Sequence, residues 1–168
     1  MSGKPVVTID ELPLEFSSQG TRFGAAAIEF GTSLGLYGLG AALYVVPPGK
    51  TAMPFHRHHA SDELYLIPSG SGEYRFGEDR LPVKVGDCLA APAGGNAHQI
   101  INTGGEDLRY LAFSNNTNAD VVEYVDSGRI RVDVGATGHH REDATFAAGG
   151  RLVPLGYWEG EDTGEEKS

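Results

Sequence analysis

The sequence predicts an all-β fold of the sandwich or barrel class, and three observations predict it. Twenty-four Gly and nine Pro make about a fifth of the 168 residues turn-formers or chain-breakers, which argues against a helical bundle. From Gly24 to about Asp133, apolar runs of five to eight residues alternate with Gly/Pro/Asn/Asp clusters, the spacing of short strands joined by tight turns. Helical stretches are scarce. One domain is the expectation at this length, and such a domain buries roughly 70% of its unfolded surface. No disulfide or structural metal is needed to hold it together.

Element by element, the expected strands are Ala25–Phe30, Leu34–Val46, Glu63–Ile67, Gly72–Phe76, Arg80–Val85, Cys88–Ala91, Ala97–Asn102, Leu108–Ser114, Val121–Tyr124 and a weaker Arg129–Val134. Pro47-Pro48-Gly49, Pro68-Ser69-Gly70, Gly77-Glu78-Asp79, Val85-Gly86-Asp87, Ala93-Gly94-Gly95-Asn96 and Thr103-Gly104-Gly105 supply the turns between them. Residues 24–134 read as the body, 1–23 as an added arm or edge strand, and 135–168 as an irregular extension with an acidic, disordered tail. Gly156-Tyr157-Trp158 is expected to dock that extension back through buried aromatic area.

Thirteen Lys and Arg against 23 Asp and Glu give a net charge of −10, which lacks the electrostatic footprint that nucleic acid requires. Glu159, Glu161, Asp162, Glu165 and Glu166 against Lys167 place −4 of it in the tail. The single Cys88 forms no internal disulfide and reads as a buried strand thiol. No apolar run approaches the roughly 18 residues of a spanning helix, and Met1–Pro5 leads into no signal-type core. The expectation is a cytoplasmic protein with no membrane partner.

Three of six histidines crowd into Phe55-His56-Arg57-His58-His59. In a strand, His56 and His58 point to one face and His59 to the other or into a loop. Glu63 follows after a short loop that brings the next strand alongside, and His98 comes 35 residues later on one face with Ile100 and Asn102. Neutral imidazoles with a carboxylate suit a first-row divalent metal. On spacing alone, a metal site and a metal-free histidine cluster both stay open.

The resemblance is carried by two motifs. Gly49-x6-His56-x-His58-x4-Glu63-x6-Gly70 and Gly86-x5-Pro92-x-Gly94-x3-His98-x3-Asn102 resemble the two conserved motifs of the cupin superfamily. Each has one residue more than the usual form, in a loop where insertion is tolerated. With Gly95 as the second motif's glycine, the extra residue moves to the proline side. Ala119–Tyr124 and Tyr157–Gly160 look most like small single-domain cupins (monocupins) of uncertain function. The resemblance implies a jelly-roll β-barrel, or double-stranded β-helix, with a metal ligated by His56, His58, Glu63 and His98, and a homodimer.

Six-coordinate Fe, Mn, Co or Ni on four protein ligands keeps two positions open, whereas tetrahedral Zn would be closed; a core of this size needs no structural zinc. Tyr65 and Ile67 share Glu63's face and are expected to line the pocket, Tyr65 as a hydrogen-bond donor, catalytic acid or base, or an ordinary core tyrosine. Asn102 supports a loop or a ligand side chain. Gly49-Lys50-Thr51 fails as a phosphate loop because position 44 is Tyr44, and Gly35-x-x-Gly38-x-Gly40 reads as bulge or close packing. His139-His140 are neighbours that diverge in extended chain and make a weak second site. The resulting expectation is a metalloenzyme on a small polar or anionic organic ligand, by dioxygenase, decarboxylase/lyase or isomerase chemistry. The alternatives are a non-catalytic small-molecule or metal-sensing module and a metal-free interaction scaffold. With about 23 residues read as the arm before the body, a helix-turn-helix domain is not expected there.

Overall fold

The computed structural model describes residues 3–135 and 144–164. Its strands are β1 Glu15–Gln19, β2 Phe23–Glu29, β3 Leu39–Val46, β4 His56–His58, β5 Glu63–Ser69, β6 Ser71–Phe76, β7 Asp79–Lys84, β8 Cys88–Ala91, β9 His98–Ile101, β10 Leu108–Asn115, β11 Ala119–Tyr124, β12 Arg129–Val134 and β13 Phe146–Arg151. They form two antiparallel sheets, in the orders β1-β2-β3-β10-β5-β8 and β13-β12-β11-β4-β9-β6-β7. This is the jelly-roll barrel. Consecutive strands repeatedly change sheet, so residues close in sequence face one another across the interior.

Period-two alternation drives the burial. On β5, Tyr65 and Ile67 point inward while Leu64 is exposed, because successive side chains leave a strand on opposite faces. The core joins Val46, Tyr65, Ile67, Tyr74, Leu108 and Tyr110 between the sheets. A second cluster of Ile28, Phe30, Ala41 and Leu43 lies on the other face of the β2–β3 sheet, beneath Val7, Ile9 and Leu12 of the N-terminal segment. The arm therefore supplies an edge strand and a patch of cover.

Four local expectations differ from the structure. The run from Leu34 is not all strand: Phe30–Ser33 form a helical turn, and Gly35 takes φ +76° before β3 begins at Leu39. The extension is not wholly irregular, since β13 pairs with β12 over six residues. Cys88 lies on a strand but is exposed, because Leu89 and Ala91 take the inward positions of β8. Trp158 is 66% exposed rather than docked. It packs edge-on against Tyr157 at 4.7 Å, within a turn closed by the Glu159 amide donating to the Gly156 carbonyl.

Candidate metal centre

The site lies between the two sheets. β4 and β9 pair with His56 directly opposite His98, and the alternation of β4 turns His58 to the same side. His59 turns away, its Nε2 3.4 Å from Glu123. Glu63 opens β5, which pairs with β10 and β8 in the opposite sheet. Its strand thus faces the histidines instead of lying alongside them, because the loop from His59 to Asp62 crosses between sheets. Hydrogen bonds pin that loop: the Asp62 amide donates to Asn115 Oδ1 at 2.7 Å, the Ala93 amide to Asp62 Oδ1 at 2.8 Å, and the Ala60 amide to Asp120 Oδ1 at 2.9 Å.

Three imidazoles converge on one carboxylate oxygen. Glu63 Oε2 is 2.9 Å from His98 Nε2, 3.5 Å from His58 Nε2 and 3.9 Å from His56 Nε2. His56, Glu63 and His98 each offer a ligand atom within 4.8 Å of the others, and His58 stands at the edge of that group. Tautomers follow from the outer partners. A carbonyl only accepts, so His56 Nδ1–H donates to the Pro54 carbonyl at 2.8 Å; His58 Nδ1–H donates to Asp120 Oδ2 at 2.5 Å. Both rings then present the Nε2 lone pair toward Glu63.

Glu63 Oε2 is buried, and among the described residues it has no hydrogen-bond partner. An orphaned buried carboxylate oxygen is costly, and nitrogen lone pairs aimed at it repel. A cation removes both penalties, so the donor set fits a divalent metal. Burial lowers the His56 pKa to about 4, helped by the neighbouring His98 and His58 charges and opposed by Glu63. Burial raises Glu63, but His98 Nε2 at 2.9 Å and the imidazoles of His58 and His56 outweigh it and hold the carboxyl down at about 2. Neutral imidazole and ionised carboxylate are the ligating forms.

Tyr65 reaches the same point, its hydroxyl 2.9 Å from His98 Nε2. Complete burial, then the Glu63 charge, push its pKa well above the ordinary phenol value. Ile67 does not line the cavity; it is fully buried one pleat deeper. Asn102 serves the loop and not the histidines: its amide donates to the Val46 and Glu106 carbonyls, and its Oδ1 accepts from the Gly104 amide. Gly94 has φ +67° whereas Gly95 is not in the left-handed region, so Gly94 makes the second-motif turn, with its amide donating to the His58 carbonyl. His139 and His140 lie outside the described residues. Asp120 is the site residue that sequence reasoning passed over. Its signal was strand parity, since Asp120, Val122 and Tyr124 share one face of the strand beside β4.

The family model for the cupin domain matches residues 42–114, the span that carries all four candidate ligands. This chain carries a cupin domain. The cupin is 36% identical over 67 residues to an oxalate-binding protein of Thermotoga maritima, a match covering 40% of this chain and 54% of that one. The chain spans about half the length of the curated relatives it matches. Among solved structures, a predicted oxalate decarboxylase of Thermotoga maritima is similar at a TM-score of 0.59 and 26% identity, over 67% of this cupin and 99% of that chain. A sugar phosphate isomerase from a cupin superfamily, from Silicibacter pomeroyi, reaches a TM-score of 0.75 at 24% identity, over 91% and 98% of the two chains. At that identity the likeness shows the fold. No helix among the described residues is long and apolar enough to cross a membrane.

Proposed function

We propose that this cupin is a metal-dependent enzyme acting on a small organic ligand, with His56, His58, Glu63 and His98 as metal ligands. The observation that carries the reading is the buried Glu63 Oε2, without a hydrogen bond and ringed by three imidazole nitrogens. A bound Fe, Mn, Ni or Co ion would supply Lewis-acid polarisation of a ligand oxygen or a centre for oxygen chemistry; Zn is compatible with the donors but favours a closed tetrahedron.

The protein's own groups set the rest. Pro54 and Asp120 hold His56 and His58 in the tautomer that offers Nε2. Tyr65, whose phenol stays protonated, acts as a hydrogen-bond donor beside the ligands, not as a base. A cavity of about 390 Å³ opens onto them, within the range of small-molecule sites. A small polar or anionic ligand is supported by the similarity to an oxalate-binding protein. The names of the relatives span ligand binding, decarboxylation and isomerisation, so dioxygenase, decarboxylase/lyase and isomerase chemistry all remain within the proposal. The resemblance supports a homodimer, and the lone Cys88 is consistent with a cytoplasmic location.

Turnover assays of protein loaded with Fe(II), Mn(II) or Ni(II), against carboxylate, sugar and diketone libraries, test the enzymatic reading. Metal-dependent turnover that is lost in Glu63→Gln supports it. Blank assays, with ligands still raising the melting temperature, replace it with a non-catalytic sensing or binding module.

A further inference from the structure

The walls of the cavity constrain the charge of its occupant. Its lining includes Glu63, Asp120 and Asp133, and among the described lining residues there is no Lys or Arg. Two arginines on adjoining strands are paired with carboxylates: Arg57 with Glu123 at 2.6 Å, and Arg131, whose Nε contacts both oxygens of the lining residue Asp133 at 2.8 Å. Two of the lining's neutral donors are also engaged, Gln99 Nε2 with the Met53 carbonyl and Asn116 Nδ2 with the Tyr37 carbonyl, both at 2.8 Å. Nor does a helix N-terminus help, since the one α-helix of the described residues is a four-residue turn outside the cavity. One part of the wall is apolar and aromatic, with Phe113, Val122 and the stacked Tyr44–Tyr110 pair at 5.2 Å, and Ser61, Ser114, Asn115 and Thr117 add uncharged polar groups.

We infer that the ligand carries at most one negative charge, on an oxygen-donor head such as an α-hydroxy carboxylate, and an apolar body that lies against Tyr44, Tyr110 and Phe113. The inference rests on the metal reading above. At the metal, three neutral imidazoles and one glutamate leave a bound dication with a single net positive charge, which a monoanion neutralises, and the Asp120 carboxylate behind His58 leaves no positive charge to spare. A phosphate monoester or a dicarboxylate leaves a further negative charge in a cavity whose described lining holds no Lys or Arg to meet it, and an unpaired charge taken out of water is strongly unfavourable. The same pocket therefore disfavours a sugar phosphate, although the fold is shared with a sugar phosphate isomerase.

The test is calorimetric titration of protein loaded with Ni(II), its metal content measured before and after, with mandelate, glycolate, oxalate and ribose 5-phosphate. Mandelate is expected to bind roughly tenfold or more tightly than each of the others, because only it buries an aromatic body while adding one charge. Equal or tighter binding of oxalate or ribose 5-phosphate, or no mandelate binding, overturns the inference. Met53 lines the cavity and is 37% exposed, so Met53→Lys tests the charge argument without disturbing the core. Its affinity for ribose 5-phosphate should rise roughly fivefold or more at unchanged Ni(II) content, and no rise counts against the inference. Protein that retains no Ni(II) overturns the metal reading and this inference together. Ni(II)-loaded protein with the reverse ranking overturns this inference alone.

Discussion

Asp120 is a side chain outside the proposed ligand set that holds two parts of the candidate site. Its Oδ2 accepts from His58 Nδ1 and its Oδ1 from the Ala60 amide, so it fixes both the ring and the loop leading to Glu63. Burial raises its pKa, but the hydrogen bond and charge of His58 lower it further. Asp120→Ala should weaken metal binding about 10–100-fold, read by competition with a chromophoric chelator. Asp120→Asn, which keeps an acceptor for Nδ1–H, should recover part of the loss. The titrating groups give a second prediction, for the metal-free protein. His56 is depressed from 6.5 to about 4, so between those values the unfolded chain binds a proton that the folded chain refuses. Stability therefore falls as pH drops from about 6.5 to 4. Glu63, depressed from 4.5 to about 2, contributes stability that is present above 4.5 and lost as pH falls toward 2. Both slopes have the same sign, and urea midpoints at pH 7, 5.5 and 4 should decline in that order; a flat series contradicts the electrostatic account.

At the level of elements, strands with strong alternation were legible from sequence and the weak or hidden ones were not. Cys88–Ala91 and Arg129–Val134 match the expected bounds. Phe146–Arg151 escaped because Ala147-Ala148-Gly149-Gly150 has little intrinsic strand preference and gains its order from pairing with β12. The Leu34–Val46 run misled because its apolar residues are continuous, and periodicity alone does not separate a buried turn of helix from a strand. The convergence of His56, His58, Glu63 and His98 was legible because strand parity and the two motifs place them together. The sheet that carries Glu63 and the partnership of Asp120 were not, because both depend on how β5 and β11 pack. Turn glycines offer a direct check. Gly70 joins β5 to β6 at φ +83°, and an added Cβ would lie 2.6 Å from the Asp107 carbonyl oxygen. Gly70→Ala should cost more than about 1 kcal/mol in denaturant unfolding, while Gly105→Ala, where a Cβ meets open space, should be close to neutral.

For the molecule as a whole, the barrel is a scaffold whose two sheets each deliver part of one site, the histidines from one and Glu63 and Tyr65 from the other. The chain carries a net charge of −10, and the described lining of the cavity has its own balance, with Glu63, Asp120 and Asp133 and no Lys or Arg. Leu152, Val153, Leu155, Tyr157 and Trp158 are exposed, apolar area that a second copy could cover. Sedimentation at two concentrations should detect the expected homodimer, and a monomer at both would remove that expectation. The most direct test of the central claim is elemental analysis of protein purified without chelators, beside Glu63→Gln and His98→Ala. The account predicts close to one divalent first-row metal per chain in the wild type and its loss in both variants; metal absent from the wild type, or unchanged in the variants, would contradict it.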